Sequence, residues 1–165
     1  MKNSKILPIV RAGMIAALYV ALTYASALVG LSSGAIQLRL SEMLTVLPAF
    51  LPESIPGLYI GCLIANLLTT GNIYDILLGS LATLIGAIGA RMLRNTHPLL
   101  ISLPTVIANA IIVPLVIILQ AGGGETFASF PYFFLTVGIG EFLSAGLLGT
   151  MAYKIIDKNK LLPRL

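Results

Sequence analysis

Residues 99–120, LLISLPTVIANAIIVPLVIILQ, contain no charged side chain. A transmembrane helix needs about 20 consecutive and predominantly apolar residues, so this stretch is long enough to cross a bilayer. Pro104 and Pro114 lie within it and predict kinks, because proline lacks the backbone N–H that the helix uses. The stretch predicts a membrane-spanning helix, and apolar runs of similar character fill most of the chain.

The composition of the whole chain agrees with a lipid environment. Of its 165 residues, 58% are hydrophobic and only 10% are charged, and the mean hydropathy is +1.00. A chain of this length holds about six spans joined by short loops, with no room for a soluble domain. We expect one all-α membrane domain over residues 1–165, a six-helix bundle with spans at about 8–30, 40–51, 56–70, 73–93, 99–120 and 130–156.

Positive charges mark the ends of the predicted spans. Nine of the ten lysines and arginines form three clusters: Lys2, Lys5 and Arg11; Arg91 and Arg94; Lys154, Lys158, Lys160 and Arg164. Six crossings put all three clusters on one face, and cytoplasmic loops carry the excess of Lys and Arg, so both termini are predicted to be cytoplasmic. Topology and contact with anionic lipid therefore explain the net charge of +4, and nucleic-acid binding is not expected. The alternative for the N-terminus is a cleavable secretory signal, although the length of its apolar run favours a span.

Glu141 is the most informative single residue, because ionisable groups inside a membrane are costly and usually functional. At 1.5 Å per residue, it lies roughly 15 Å from the outer end of the last span and about 20 Å from Lys154 at the inner end. This estimate places it in the outer half of the membrane. The alternative is a protonated carboxyl group that only hydrogen-bonds a neighbouring helix.

Other polar side chains are expected at a similar depth around a pocket that opens to the outside. They are Asn66, Asn72, Tyr74, Asp75 and Asn109, with Gln37, Arg39 and Glu42 closing the pocket from above. Acidic groups outnumber the single arginine on this side, so the pocket suits a neutral or cationic ligand rich in N–H donors, such as the amidine-like edge of guanine. Two alternatives stay open: Arg39 and Glu42 pair on one helix face, and the asparagines only join helices.

Small residues recur at four-residue spacing and predict flat helix faces that pack closely. They form Ala12-x-x-x-Ala16, Ala17-x-x-x-Ala21 and Ala21-x-x-x-Ala25 in span 1, Gly57-x-x-x-Gly61 in span 3, and Ala82-x-x-x-Gly86-x-x-x-Ala90 in span 4. We expect the faces of spans 3 and 4 to pack within the chain. For span 1, packing within the chain and contact with a partner helix are equally open.

The sequence lacks the motifs of several chemistries. It has no G-x-x-x-x-G-K-[ST] phosphate loop for ATP hydrolysis. His97 is the only histidine and Cys62 the only cysteine, so neither a metal site nor a Ser-His or Cys-His pair is expected in the membrane. We therefore predict a protein that is not an enzyme and that holds no metal or cofactor.

Two long stretches resemble a known family. Residues 34–48, GAIQLRLSEMLTVLP, and 55–68, IPGLYIGCLIANLL, resemble the QueT family of queuosine-precursor transporters, as does Gly138-Ile139-Gly140-Glu141. These are substrate-binding S components of energy-coupling factor (ECF) transporters. The resemblance implies a six-helix S component in a prokaryotic plasma membrane that captures a 7-deazaguanine such as preQ0, preQ1 or queuine from outside. It points most directly to Arg39, Glu42, Asn66 and Glu141, and less directly to Asp75 and Asn109.

The resemblance also implies protein partners, namely a transmembrane T component and two cytoplasmic ATPases. An alanine-rich motif on the first helix is implied to contact the T component, with Ala12 and Ala16 best placed and Ala17 and Ala21 second. We expect the segments from Leu31 to Arg39 and from Gly122 to Ala128 to cap the pocket. The alternatives are a self-sufficient channel or proton-coupled carrier that uses Glu141, and an S component for another vitamin-like substrate.

Overall fold

The computed structural model describes residues 6–31, 37–122 and 126–162, which form helices and no strand. The α-helices of this part are α1 (Ile6–Leu28), α2 (Ser54–Thr69), α3 (Ser80–Met92), α4 (Pro98–Gln120), α5 (Phe130–Glu141) and α6 (Gly149–Lys158). Short 3₁₀ helices lie at Leu40–Ala49 and Phe127–Ser129, and π-helical turns at Asp75–Gly79 and Phe142–Leu148. The basic residues Lys2, Lys5 and Arg164, the acidic Glu125 and the middle of both predicted capping segments lie outside the described residues.

Four helical stretches in the described ranges are long and apolar enough to cross a membrane. They are Ile6–Leu28, Asp75–Met92, Pro98–Gln120 and Phe127–Lys158, whereas Leu40–Ala49 and Ser54–Thr69 are apolar but shorter. Pro48 lies inside the 3₁₀ helix and cannot donate a backbone hydrogen bond, in line with the early end of this segment. The all-helical fold is confirmed for the described part of the chain, while six crossings and cytoplasmic termini stay predictions.

Small residues bring neighbouring helices into close contact. A Cβ atom at Gly57 would lie 2.6 Å from the carbonyl oxygen of Ala12, and one at Gly61 would lie 3.0 Å from Cα of Ala16. A Cβ atom at Gly86 would likewise lie 2.7 Å from Cα of Thr105. The backbones of α1 and α2, and of α3 and α4, therefore approach each other as glycine-containing faces allow.

The 3₁₀ helix Leu40–Ala49 lies inside the bundle and is attached at its far end. The rings of Phe50 and Tyr153 pack with centroids 4.7 Å apart, and Arg91 Nη1 donates to the carbonyl oxygen of Pro48 at 3.2 Å. Arg11 Nη1 lies 2.9 Å from Oε1 of Glu53, which ties α1 to the turn before α2. These contacts hold the C-terminal end of the 3₁₀ helix, and the candidate site begins at its other end.

Candidate functional site

The segment that enters the 3₁₀ helix is fastened to the last turns of α1. The backbone N–H of Leu40 donates to Oγ of Ser26 at 3.0 Å, and Oγ1 of Thr23 lies 2.7 Å from Oγ of Ser41. On its other side, this segment contacts α5 so closely that a Cβ atom at Gly140 would lie 2.1 Å from the carbonyl oxygen of Gln37. Only glycine fits there, and the contact brings Arg39 and Glu42 beside the helix that carries Glu141.

Five side chains converge at this point and form what we call the carboxyl cluster: Tyr19, Arg39, Glu42, Asn109 and Glu141. Glu42 is 1% exposed, Asn109 4% and Glu141 5%. Tyr19 donates its phenolic hydrogen to Oε1 of Glu42. The guanidinium of Arg39 interacts electrostatically with both carboxyl groups, and the Asn109 amide lies beside both. The cluster therefore joins α1, the 3₁₀ helix, α4 and α5.

Three polar atoms of the carboxyl cluster form no hydrogen bond of ordinary length and angle with a described residue, although the Asn109 amide lies close to both carboxyl groups. They are Oε2 of Glu42, Nδ2 of Asn109 and Oε2 of Glu141, and all three are buried. A buried polar atom without a partner costs about 1–3 kcal/mol, so such atoms are usually satisfied by an ordered water or by a ligand. Two of these atoms accept hydrogen bonds and one donates, which suits a polar ligand with N–H donors next to a carbonyl oxygen.

A cavity of about 280 Å³ lies next to the cluster, and we call it the outer cavity. Thr23 and Val113 line it, each one helical turn beyond Tyr19 and Asn109, so it begins roughly 6 Å further along the bundle. Its full lining is Thr23, Ala27, Gln37, Arg39, Thr69, Thr70, Asp75, Val113, Ile117 and Gln120. Arg39 belongs to both regions, so the outer cavity lies directly beside the carboxyl cluster.

The sequence of the chain matches one known protein family. A family described as QueT transporter matches residues 9–158, which is most of the chain. The chain belongs to the QueT transporter family. The curated Queuosine precursor transporter QueT of Lactococcus lactis subsp. cremoris (strain MG1363) is 42% identical over 85 residues, which cover 52% of this chain and 50% of that relative. The chain thus spans about half the length of the curated relative it matches, and no solved structure matches it.

In this QueT family member, most of the predicted site residues lie together. Arg39, Glu42, Asn109 and Glu141 meet in the carboxyl cluster, and Gln37 and Asp75 line the outer cavity. Their convergence depends on residues 37–41, which pass between α1 and α5. The sequence predicts residues 37–39 as part of a cap and residues 40 and 41 as the start of a span. What these residues bind stays a prediction.

Asn66 and Tyr74 lie outside both the carboxyl cluster and the lining of the outer cavity. Nδ2 of Asn66 donates to the carbonyl oxygen of Asp75 at 2.8 Å and lies 3.5 Å from Sγ of Cys62, so this side chain holds the π-helical turn at Asp75–Gly79 against α2. Tyr74 is 41% exposed and lines neither the cluster nor the outer cavity. The interpretation of Asn66 as a residue that joins helices therefore accounts for its contacts.

Tyr19 is a site residue that the sequence analysis does not identify. It is fully buried in the middle of α1, and the polar residues Thr23 and Ser26 follow it on the same face at helical spacing. That polar stripe within an apolar span is the signal that points to this face. The π-helical turn that begins directly after Glu141 is also not predicted, although such turns often accompany functional sites.

The four alanines predicted to contact a partner divide into two pairs. Ala12 and Ala16 face α2 at the positions of Gly57 and Gly61, so packing within the chain accounts for them. Ala17 and Ala21 are exposed, next to the exposed Gly13. The partner contact stays a prediction for all four alanines, and Ala17 and Ala21 are the pair with exposed side chains.

Proposed function

We propose that this QueT family member is the substrate-binding S component of an ATP-driven ECF importer, and that it captures a 7-deazaguanine precursor of queuosine from outside. The observation that carries the proposal is the carboxyl cluster, with three buried polar atoms that no described residue satisfies. The name of the curated relative, a queuosine precursor transporter, supports the same class of substrate.

The cluster is complementary to the edge of a guanine-type base. Such an edge presents a carbonyl oxygen, a ring N–H and an amino group in a row. Oε2 of Glu141 and Oε2 of Glu42 are acceptors for the two N–H groups, and Nδ2 of Asn109 is a donor for the carbonyl oxygen. Because the cluster excludes water, each of these bonds forms in a medium where it discriminates strongly against a base that lacks the matching group.

The topology that we propose has six crossings and both termini in the cytoplasm. The 3₁₀ helix and α2 are then the two short crossings, and the outer cavity opens to the outside. This orientation is supported by Arg91 in the last turn of α3, by Arg94 just after it, and by Lys154 and Lys158 in α6. These basic residues lie at the opposite ends of their helices from the outer cavity. Substrate then enters from outside through the outer cavity.

Transport by this chain requires an external source of energy, which we assign to a T component and two cytoplasmic ATPases. The exposed small residues Gly13, Ala17 and Ala21 lie along one side of an apolar groove between α1 and α2, with Ile60 and Ile64 on the other side. Close approach of a partner helix needs such a flat face, because lipid provides little hydrophobic drive for association. We assign this groove to the T component.

Thermal unfolding of the purified chain tests the substrate class. A 7-deazaguanine at a hundred times its dissociation constant is expected to stabilise the fold by about 2.7 kcal/mol, whereas vitamins of unrelated structure give no shift. Absence of any shift with 7-deazaguanines contradicts the proposed substrate.

Liposomes that contain the chain alone test the proposed dependence on an external motor. We expect bound substrate but no net flux until the T component and ATPases are added. Flux through the isolated chain contradicts an S component and supports a proton-coupled carrier based on Glu141.

A further inference from the structure

Glu42 and Glu141 place two carboxyl groups in one buried site. Glu42 is 1% exposed and Glu141 5%, the Asn109 amide lies beside both, and the charge of Glu42 acts on Glu141. Two carboxyl groups that share a buried site ionise together only at high cost, because like charges repel and little water is present to stabilise them. The protonation of the two groups is therefore coupled, and the surrounding charges decide how many protons the pair holds.

One positive charge faces this pair among the described residues. It belongs to Arg39, whose guanidinium interacts with both carboxyl groups. The phenol of Tyr19 and the thiol of Cys62 also lie near the pair, and such groups ordinarily carry no charge at neutral pH. Asp75 lines the outer cavity with Arg39 and adds a negative charge there. Because a buried net charge is costly, the empty site is most stable when Arg39 faces one carboxylate and one carboxylic acid.

The oxygen atoms that are available to this proton are the ones that the base needs. Oε1 of Glu42 accepts the hydrogen bond from Tyr19, whereas Oε2 of Glu42 and Oε2 of Glu141 are buried and form no hydrogen bond of ordinary geometry with a described residue. The proposed recognition of a guanine-type base uses both Oε2 atoms as acceptors. A carboxyl oxygen that carries a proton is a donor toward its neighbour, so the proton and an N–H group of the base compete for the same position.

We propose that binding of the base displaces a proton from the pair of Glu42 and Glu141, so that about one proton is released for each ligand captured. The O–H bond of the carboxylic acid breaks, the proton passes to water through the outer cavity, and the freed oxygen accepts an N–H group of the base. The base itself stays neutral. This inference rests on the proposed function and adds its regulation by pH. Because the empty site holds the proton and the occupied site does not, the affinity rises with increasing pH and falls in acid.

Calorimetric titration of the purified full chain in two buffers with different heats of protonation counts the protons released. The probes are 7-cyano-7-deazaguanine, whose arm does not titrate, and 7-aminomethyl-7-deazaguanine, whose alkyl amine keeps its proton near neutral pH. We expect each base to release about one proton on binding, and its affinity to rise about tenfold per pH unit where the empty pair holds its proton.

Three variants locate the proton. Glu42→Gln leaves Arg39 with one carboxylate, so it is expected to bind more weakly and to release no proton. Glu53→Gln is the matched control, since Glu53 pairs with Arg11 at the other end of the bundle, and it is expected to release the proton as the wild type does. Asp75→Asn removes the carboxylate of the outer cavity and is also expected to retain the release.

The outcomes separate this inference from the proposed function. Binding of either base to the wild-type chain without proton release overturns the inference and leaves base recognition intact. Release that persists in Glu42→Gln, or that is lost in Asp75→Asn, assigns the proton to another group and also overturns it. Failure of both bases to bind contradicts the proposed function, and this inference with it. If Glu42→Gln does not fold, the proton counts of the wild type and of Asp75→Asn still decide.

Discussion

The hydroxyl group of Tyr19 donates a hydrogen bond to Oε1 of Glu42 and so joins α1 to the 3₁₀ helix Leu40–Ala49. This bond occupies one oxygen of the carboxyl group and leaves Oε2 without a partner among the described residues. The orientation of Glu42 therefore depends on a tyrosine in the middle of a membrane helix. We infer that Tyr19 positions the carboxyl group for ligand binding without contacting the ligand.

Tyr19→Phe is expected to lower the free energy of unfolding by about 2 kcal/mol, because it leaves a buried carboxyl oxygen without its donor. Ligand affinity is expected to fall as well, since Glu42 loses its fixed orientation. Thermal unfolding and titration of the purified variant measure both effects. Tyr24→Phe is the matched control, because Tyr24 is about half exposed on the same helix. Equal effects of the two substitutions contradict the positioning role.

Gly140→Ala tests the close contact between α5 and the segment that carries Arg39. Its Cβ atom would lie 2.1 Å from the carbonyl oxygen of Gln37, so the segment must move away from α5. We expect ligand affinity to fall at least roughly tenfold, with the helical content unchanged. Gly138→Ala, two residues earlier, places its Cβ atom at an ordinary 3.6 Å from Cβ of Ala110 and is expected to bind like the wild type. Affinity unchanged in Gly140→Ala indicates that the segment is not part of the site.

The long helices of this chain could be predicted from its sequence because lipid imposes one simple requirement on a membrane-spanning segment, an uninterrupted apolar run of sufficient length. The stretch predicted to span the membrane at 99–120 forms the continuous helix Pro98–Gln120, despite its two internal prolines. The span predicted at 130–156 is likewise a continuous helical stretch, here interrupted by a π-helical turn. The ends of such an apolar run predict the ends of the helix, and no knowledge of the neighbouring helices is needed.

The details of the site depend on contacts between distant segments and could not be predicted in the same way. The 3₁₀ conformation of Leu40–Ala49 and the role of Tyr19 follow from tertiary packing around Glu42. The contact of Asn66 with the backbone of Asp75 crosses the turn between α2 and α3, and the spacing of residues in the sequence does not predict it. Charge and polarity are enough to select candidate residues, while their mutual arrangement could be obtained only from the fold.

Ala17→Leu combined with Ala21→Leu tests the proposed contact with the T component. Both residues are exposed on α1, so larger side chains are expected to leave ligand binding by the isolated chain unchanged. Complex assembly and uptake are expected to be lost, since bulky residues prevent close helix approach. Co-purification with the T component and uptake by the complete transporter are the measurements.

Ala12→Leu serves as the contrasting variant on the same helix. At Ala12, α1 lies so close to α2 that a Cβ atom at Gly57 would be 2.6 Å from the carbonyl oxygen of Ala12. A larger side chain at position 12 is therefore expected to destabilise the chain itself. If the chain with Ala17→Leu and Ala21→Leu still assembles normally with the T component, the partner contact lies on another face of the chain.

The ion pair of Arg11 and Glu53 predicts a pH dependence of stability at the other end of the bundle. Burial acts to raise the pKa of Glu53, but its backbone hydrogen bond and the guanidinium groups of Arg11 and Arg91 outweigh burial and lower this pKa. A carboxyl group with a lowered pKa stabilises the fold above its ordinary pKa, and this contribution is lost as the pH falls through the lowered value. Thermal unfolding of the wild type and of Glu53→Gln is therefore expected to differ at neutral pH and to converge in acid. A difference that grows in acid contradicts the assignment.

The most direct test of the central claim is the affinity of Glu141→Gln for a 7-deazaguanine, measured by titration of the purified chain. The substitution keeps the size of the side chain but replaces one acceptor oxygen by an N–H₂ group, which faces the N–H donors of the base. We predict a loss of roughly ten- to a hundredfold in affinity, with Glu53→Gln binding like the wild type. Equal affinities of Glu141→Gln and the wild type would contradict recognition of the base by the buried carboxyl cluster.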